Sequence, residues 1–353
     1  MQAYMKKIGF LLLGVVLLTG CNLYDKDKKQ VDVSGINAPI TIMRFDKEVG
    51  ELDADNLAAR QIELRNKYDR FYDTYISRFA LSHGVPPDSV ELVWDHATLT
   101  FVGDYYVKKL QTVINNTYGN TDDVDKSLED ALKHVRFYFP RNQLPERVYT
   151  INSLFGMTSA IMVDSSTLVV PLDNYLGANS SYYDSVEGIP QYLRKEMSRE
   201  YIARDCISAY YATYYGRDYI NSELPVIEAM VEAGMHMYFL EMMLPDAPDS
   251  LLMGWTQKQT EWCANSEASI WSFYNEKDIL YKNNFQDKKR NLDKSPTTIG
   301  MPAESPGNVG TWLGWQIVRS FMKNSGGKVT LTDLLTKYSP AQIIATAKYK
   351  PKA

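Results

Sequence analysis

Between Val135 and Leu172 the chain changes period, and that change limits the folds open to it. Val135 to Phe139, Arg147 to Ser153, Ser159 to Val163 and Thr167 to Leu172 are short, β-branched or aromatic, and broken by proline and glycine. Such runs predict three or four strands of a small sheet. Both flanks read as helix. From Asp55 to Phe79, the residues Leu57, Leu64, Tyr68, Phe71, Tyr72, Tyr75, Ile76 and Phe79 recur three and four apart, with charged residues opposite. That is one face of a long helix, with Asp53 or Asp55 as its N-cap. Further helices are predicted at about 88–115, 123–136, 190–215, 221–244, 257–278, 306–324 and 331–336. Ser305-Pro306 reads as N-cap and first helical residue of the 306–324 helix. Gly310 and Gly314 sit four apart there, beside Trp312 and Trp315, and would let another helix approach closely. Residues 282–304 read as a polar irregular stretch, long enough for a lid or docking loop. The expected fold class is therefore α+β, predominantly α-helical, with a small β-sheet and an N-terminal helical layer.

The N-terminus says where this body works. Lys6-Lys7 precedes an apolar run from Ile8 to Leu18 that ends in Leu18-Thr19-Gly20-Cys21. The run is too short to span a bilayer and fits the core of a signal peptide. The tetrapeptide reads as a lipobox: small residues enter a peptidase site, and the Cys21 sulfur takes a diacylglyceryl thioether. Each buried CH₂ adds about 0.8 kcal/mol, so two or more chains anchor a protein without a spanning helix. Residues 1–20 thus read as a lipoprotein signal peptide and 21–38 as a flexible tether. Cleavage leaves 36 basic against 43 acidic residues, a formal charge of −7. That balance excludes the basic footprint of a nucleic-acid binder. Cys206 and Cys263 remain after Cys21 and read as buried thiols, with a single disulfide as the alternative. Asn22 after the anchor favours outer-membrane sorting over inner-membrane retention, so the expected location is the cell envelope, lipid-anchored, at the outer membrane.

The sheet followed by two helices, the second carrying Glu232-Ala233-Gly234, has the layout of a zincin metalloprotease. There two histidines at i and i+4 hold zinc and a glutamate serves as base. Here Arg199-Glu200-Tyr201-Ile202-Ala203, or Lys195-Glu196-Met197-Ser198-Arg199, stands where that motif would stand. The four histidines, His83, His96, His134 and His236, include no i, i+4 pair. Arg199, Glu200, Glu232 and His236 are therefore candidates for a vestigial cleft, with no catalytic residue, no metal ligand and no cofactor expected. His236, on an apolar stretch, also reads as a hydrogen-bonded core histidine. No nucleophile elbow, P-loop or dinucleotide fingerprint is present.

One family unites these features. Ile42-Met43-Arg44-Phe45-Asp46, Tyr149-Thr150-Ile151-Asn152-Ser153, Pro171-Leu172-Asp173-Asn174-Tyr175-Leu176-Gly177 and Tyr238 to Pro245 are its marks. Ser305-Pro306-Gly307-Asn308-Val309-Gly310-Thr311-Trp312-Leu313-Gly314-Trp315 adds to them. Together they resemble the gliding-motility lipoprotein GldB family of Bacteroidetes, across essentially the whole mature chain. That family is in turn similar to predicted zinc-dependent proteases with an eroded metal motif. The resemblance implies a GldB-like domain over 39–353, with a helical part at about 39–136 and a zincin-like core at about 137–353. It also implies a non-catalytic envelope lipoprotein that binds or scaffolds partners of the gliding and type IX secretion apparatus. The alternative is a metal-independent, peptidase-like hydrolase using Glu200 or Glu232 as base.

Overall fold

The computed structural model describes residues 31–79, 90–186 and 188–352. Cys21, the apolar run before it, most of the tether and His83 lie outside the described residues. Strand β1 (Thr41–Met43) leads into α1 (Phe45–Gly50). The periodic run of 55–79 then forms two helices, α2 (Leu57–Tyr68) and α3 (Arg70–Phe79), rather than one. The break is Asp69, at φ 49°, a backbone conformation that no α-helix passes through. Helices α4 (Val90–Gly103) and α5 (Tyr105–Thr117) split at Asp104 for a different reason. The Asp104 carboxylate accepts the N–H groups of Tyr106 (2.8 Å) and Val107 (3.1 Å), capping a new helix.

Helix α6 (Asp122–Tyr138) runs through most of the segment read as a strand, so Val135 to Phe139 is a correction. Val124, Leu128, Ala131, Leu132 and Val135 are buried along one face of it. That continuous helical stripe outweighs the β preference of a few residues at its end. The other three predicted strands are present as β2 (Arg147–Ile151), β3 (Ile161–Asp164) and β4 (Thr167–Pro171). They join β1 in one four-stranded sheet of order β1-β2-β4-β3. The first three in that order run parallel, and β3 is an antiparallel edge. All five residues of β4 are buried, as a central strand covered on both faces requires. Val148, Leu168 and Val170 pack into the larger core, shared with α6 and the C-terminal helices. Tyr149, Ile151 and Val169 pack into a second core with Phe45, Tyr68, Tyr72 and Tyr75. The class is α+β, predominantly helical, with helices on both sides of a small mixed sheet.

The carboxyl ends of the parallel strands hold a polar knot built from the family-like motifs. After β1, buried Asp46 accepts from Arg44 (2.8 and 2.9 Å), from Gln111 (2.7 Å) and from Thr150. After β4, buried Asp173 accepts from the Ser153 N–H (2.9 Å), the Ser153 hydroxyl (2.8 Å) and the Phe155 N–H (2.5 Å). These bonds hold Leu154 and Phe155 at φ 52° and 60°, a conformation bulky residues avoid unless the surroundings impose it. Burial pushes the Asp173 carboxyl above its ordinary value, although these hydrogen bonds and one from its own backbone N–H pull it back.

Beyond β4 the predicted 190–215 helix is also corrected. Gln191–Glu196 and Arg199–Tyr201 are separate 3-10 turns, divided at extended Ser198, and only α7 (Ile202–Tyr214) is α-helical. Then come α8 (Val226–Met243), α9 (Asp249–Met253), α10 (Gln257–Asn265) and α11 (Glu267–Glu276). Within the stretch read as irregular lies α12 (Phe285–Leu292). Helices α13 (Val309–Asn324), α14 (Leu331–Lys337) and α15 (Pro340–Thr346) complete the chain. Helix α13 starts three residues later than Pro306. Ser305 spends its hydroxyl on the Pro306 carbonyl (2.9 Å), and left-handed Asn308 (φ 49°) is the N-cap.

Candidate functional site

The segment between β4 and α7 has little regular hydrogen bonding, so side chains pin it. Buried Tyr183 is the main pin: its hydroxyl accepts the Leu176 N–H (2.8 Å) and donates to the Asp173 carbonyl (3.2 Å). Tyr183 sits on a 3-10 turn, Ser181–Ser185, and Arg194 crosses from the Gln191–Glu196 turn to its carbonyl (2.9 Å) and pairs with Asp184. Between the two turns lies an open cavity of about 370 Å³. Asn179, Ser180, Asp184, Gln191, Arg194 and Lys195 line it.

Beside the cavity is a charge cluster in which Glu196, Arg204 and Asp205 are buried and Lys294 is exposed. Arg204, on the first turn of α7, reaches Glu196 (2.7 Å) and Asp205 (2.6 Å), with its guanidinium 4.5 Å above the Tyr201 ring. Lys294, on the loop before α13, reaches the same Glu196 oxygen (2.6 Å). Tyr175 donates its hydroxyl to Asp205 (2.8 Å). Burial works against the charge of Glu196, but Arg204 and Lys294 outweigh it and hold the carboxyl below the usual glutamate range. The cluster is thus an internally neutralised chain of cations and carboxylates.

The structure separates the four predicted cleft residues into three places. Arg199 turns to the α5–α6 connection. There it pairs with Asp123 (2.8 Å), donates to the Thr117 carbonyl (3.2 Å) and covers the Tyr118 ring. Glu200 is exposed on its 3-10 turn. Glu232 and His236 stay together, one helical turn apart on α8. Glu232 is buried and paired with Arg217 (2.6 Å). His236 stacks on Tyr211 (4.4 Å between centroids), and its Nε2 lies 3.2 Å from the Ser208 hydroxyl. The α7 residues on this side are Arg204, Ser208 and Tyr211; the register starting at Lys195 precedes this helix, and the one starting at Arg199 enters it only with Ile202 and Ala203. Sequence reading missed Glu196, Arg204, Asp205 and Lys294 as a group. A usable signal was the adjacent Arg204-Asp205 inside the apolar run Ile202 to Ile207, because buried charges occur only when paired. Cys206 and Cys263 are free and buried, and burial pushes their thiols up. Among the described residues, no group of three or more His, Cys, Asp or Glu converges as metal ligands would, and no helix is long and apolar enough to cross a membrane.

Compared with protein families, residues 26–351 match the model described as gliding motility protein GldB. The chain belongs to the GldB family. No curated protein and no solved structure matches it. The matched span takes in every element of the GldB-family fold described above, including the cavity, the charge cluster and the α7–α8 pair.

In this GldB-family chain His236 should dominate acid sensitivity near neutrality. Burial lowers its imidazole from 6.5 to about 4, and Arg204 and Lys294 add to the shift. Glu232 one turn away is engaged by Arg217, and Tyr211 stacks on the ring. The unfolded chain takes up this proton near 6.5 and the folded chain only near 4. Stability is therefore lost as pH falls through that window. From about pH 7.5 to about pH 5, His236 should cost about 2 kcal/mol of unfolding free energy. Urea denaturation at the two pH values checks this. His236→Gln, which keeps a partner for Ser208, should remove about that much of the pH dependence.

Proposed function

We infer that this GldB-family chain is a cell-envelope lipoprotein of the gliding machinery that works by binding rather than by catalysis. In this reading a lipid at Cys21 anchors it in the outer membrane, and its body docks components of the motility and type IX secretion apparatus. The α7–α8 pair then descends from a zincin-like peptidase whose reactive side chains have been replaced.

The observation that carries this reading is the Glu196–Arg204–Asp205–Lys294 cluster beside His236. On the zincin-like reading, the Arg204 guanidinium occupies the helix face on which such a peptidase would need an imidazole. The neighbouring carboxylates are spent on cations rather than held ready for a proton or a metal. Removing charged partners from such an arrangement costs stability, which suits a scaffold better than a working acid or base.

The test is complementation of a gliding bacterium that lacks its own GldB-family protein. The wild-type chain, Glu200→Gln and His236→Gln should all restore colony spreading at equal protein abundance. Cys21→Ala should move the protein out of the membrane fraction and fail to restore it. Loss of spreading in Glu200→Gln at normal abundance would favour the hydrolase reading. One tightly held zinc per purified chain would overturn the non-catalytic one.

A further inference from the structure

The cavity between the Ser181–Ser185 and Gln191–Glu196 turns carries a cation that no carboxylate among the described residues pairs with. Arg194 and Lys195 both line it, but their situations differ. The two Nη groups of Arg194 go to Asp184 and to the Tyr183 carbonyl, while its Nε is buried without a partner among the described residues. Lys195 has no carboxylate within ion-pair distance among the described residues. Its Nζ reaches only the Gln259 amide oxygen, at 3.2 Å. That oxygen already accepts from the Thr256 N–H (2.9 Å) and hydroxyl (3.2 Å), as part of the α10 capping box. The adjacent Glu196 is shared between Arg204 and Lys294. Among the described residues around the cavity, Arg194, Lys195, Arg204 and Lys294 stand against Asp184, Glu196 and Asp205, which leaves one positive charge over. Burial pushes the Lys195 ammonium below its ordinary value; the neighbouring Glu196 pulls it back, and Lys294 and Arg204 add to the lowering.

The rest of the lining describes the body of the ligand. Asn179, Ser180 and Gln191 offer amide and hydroxyl groups, and Ala178 is the one apolar lining residue. An apolar ligand would leave those groups unpaired, whereas a hydroxyl-rich one would satisfy them. The volume of about 370 Å³ falls within the range for small ligands. The walls are braced by Tyr183 and Arg194, so the cavity is formed before anything enters. A single spare ammonium matches a monoanion better than a doubly charged phosphate.

We propose that this cavity binds a sugar-sized, hydroxylated monocarboxylate, with Lys195 as the counter-ion of its carboxylate. This site is independent of the motility reading, and either can fail without the other.

The probe is N-acetylmuramic acid, titrated calorimetrically into the full chain in detergent micelles. N-acetylglucosamine, the same ring without the acid, and inorganic phosphate are the comparison ligands. Saturable binding of N-acetylmuramic acid is expected, at least tenfold tighter than either comparison ligand. Lys195→Gln should weaken it at least tenfold at an unchanged melting temperature. Gln259→Glu gives Lys195 an internal carboxylate while preserving the capping box, and should weaken binding to a similar extent. That second variant decides the matter if the first fails to fold. Equal affinity for the two sugars, an equal or tighter fit of phosphate, no saturable binding at all, or full affinity in Gln259→Glu would each overturn the proposal.

Discussion

Gly314→Ala is expected to leave little or no folded protein. Helices α8 and α13 cross with their backbones in contact, glycine against glycine. A Cβ on Gly314 would lie 1.7 Å from the Met230 carbonyl oxygen, and one on Gly234 would lie 2.3 Å from the Gly314 carbonyl carbon. Neither obstacle is the tip of a flexible side chain, so the helices themselves would have to separate. Separation would unseat Trp312, Trp315, Val231 and Met235, which fill the core on both sides of the crossing. Alanine favours a helix over glycine by about 1 kcal/mol, which opposes the damage but does not match it. A loss of about 4 kcal/mol or more follows, a large share of the stability of an ordinary domain. Gly103→Ala is the control, because a Cβ there meets nothing within 4 Å. Expression level and urea midpoints of the two variants check the contrast: Gly103→Ala should behave like the wild type or slightly better. A soluble Gly314→Ala protein with a wild-type midpoint would show that the crossing is looser than described.

This crossing was readable in advance because close packing writes itself locally. Gly310 and Gly314 lie one turn apart on the same face, beside two indoles, and few other arrangements use such a pattern. Strands β2 and β4 were legible for a similar reason, since a buried parallel strand must be a short run of β-branched residues bounded by turns; the antiparallel edge strand β3 showed as a short apolar run ending at a turn. The helix breaks at Asp69 and Asp104 were not, because the buried face continues across each break and keeps the three-and-four spacing intact. Val135 to Phe139 misled in the opposite direction: its composition is that of a strand, but its helical stripe begins eleven residues earlier, at Val124. The site was the least legible part. Arg204 and Asp205 are neighbours in sequence, but Glu196 lies beyond the Arg199–Tyr201 turn and Lys294 on a remote loop. A charge cluster assembled by tertiary contacts leaves no spacing to read. Arg199 and Glu200 had the motif-like spacing, and the fold directs them elsewhere.

Arg319→Ala should cost about 3–5 kcal/mol, the usual penalty for removing one partner of a buried ion pair. Arg319 on α13 joins Glu241 at the end of α8 to Asp249 at the start of α9 through two forked contacts. Nε and Nη2 reach Glu241 at 2.8 and 2.9 Å, and Nη1 and Nη2 reach Asp249 at 2.8 and 2.9 Å. Its guanidinium also lies 3.8 Å from the Trp315 ring centroid, and Trp315 donates its indole N–H to the same Glu241 oxygen (2.8 Å). Alanine would leave two buried carboxylates facing each other with no cation between them. Lysine keeps the charge but not the planar fork, so Arg319→Lys should lose about half as much. The decisive comparison removes the charges together. With Glu241→Gln, Asp249→Asn and Arg319→Met combined, no ion is stranded and Trp315 still has an acceptor. If the penalty of Arg319→Ala comes from stranded charge, the triple variant recovers most of it in urea denaturation. If the bridge itself holds α8, α9 and α13 together, the triple variant is as unstable as the single one. The first outcome is expected, because well-packed neutral side chains replace buried ion pairs at little net cost. Arg319 lies about one turn from Gly314, so combining the two substitutions should cost less than the sum of their separate effects.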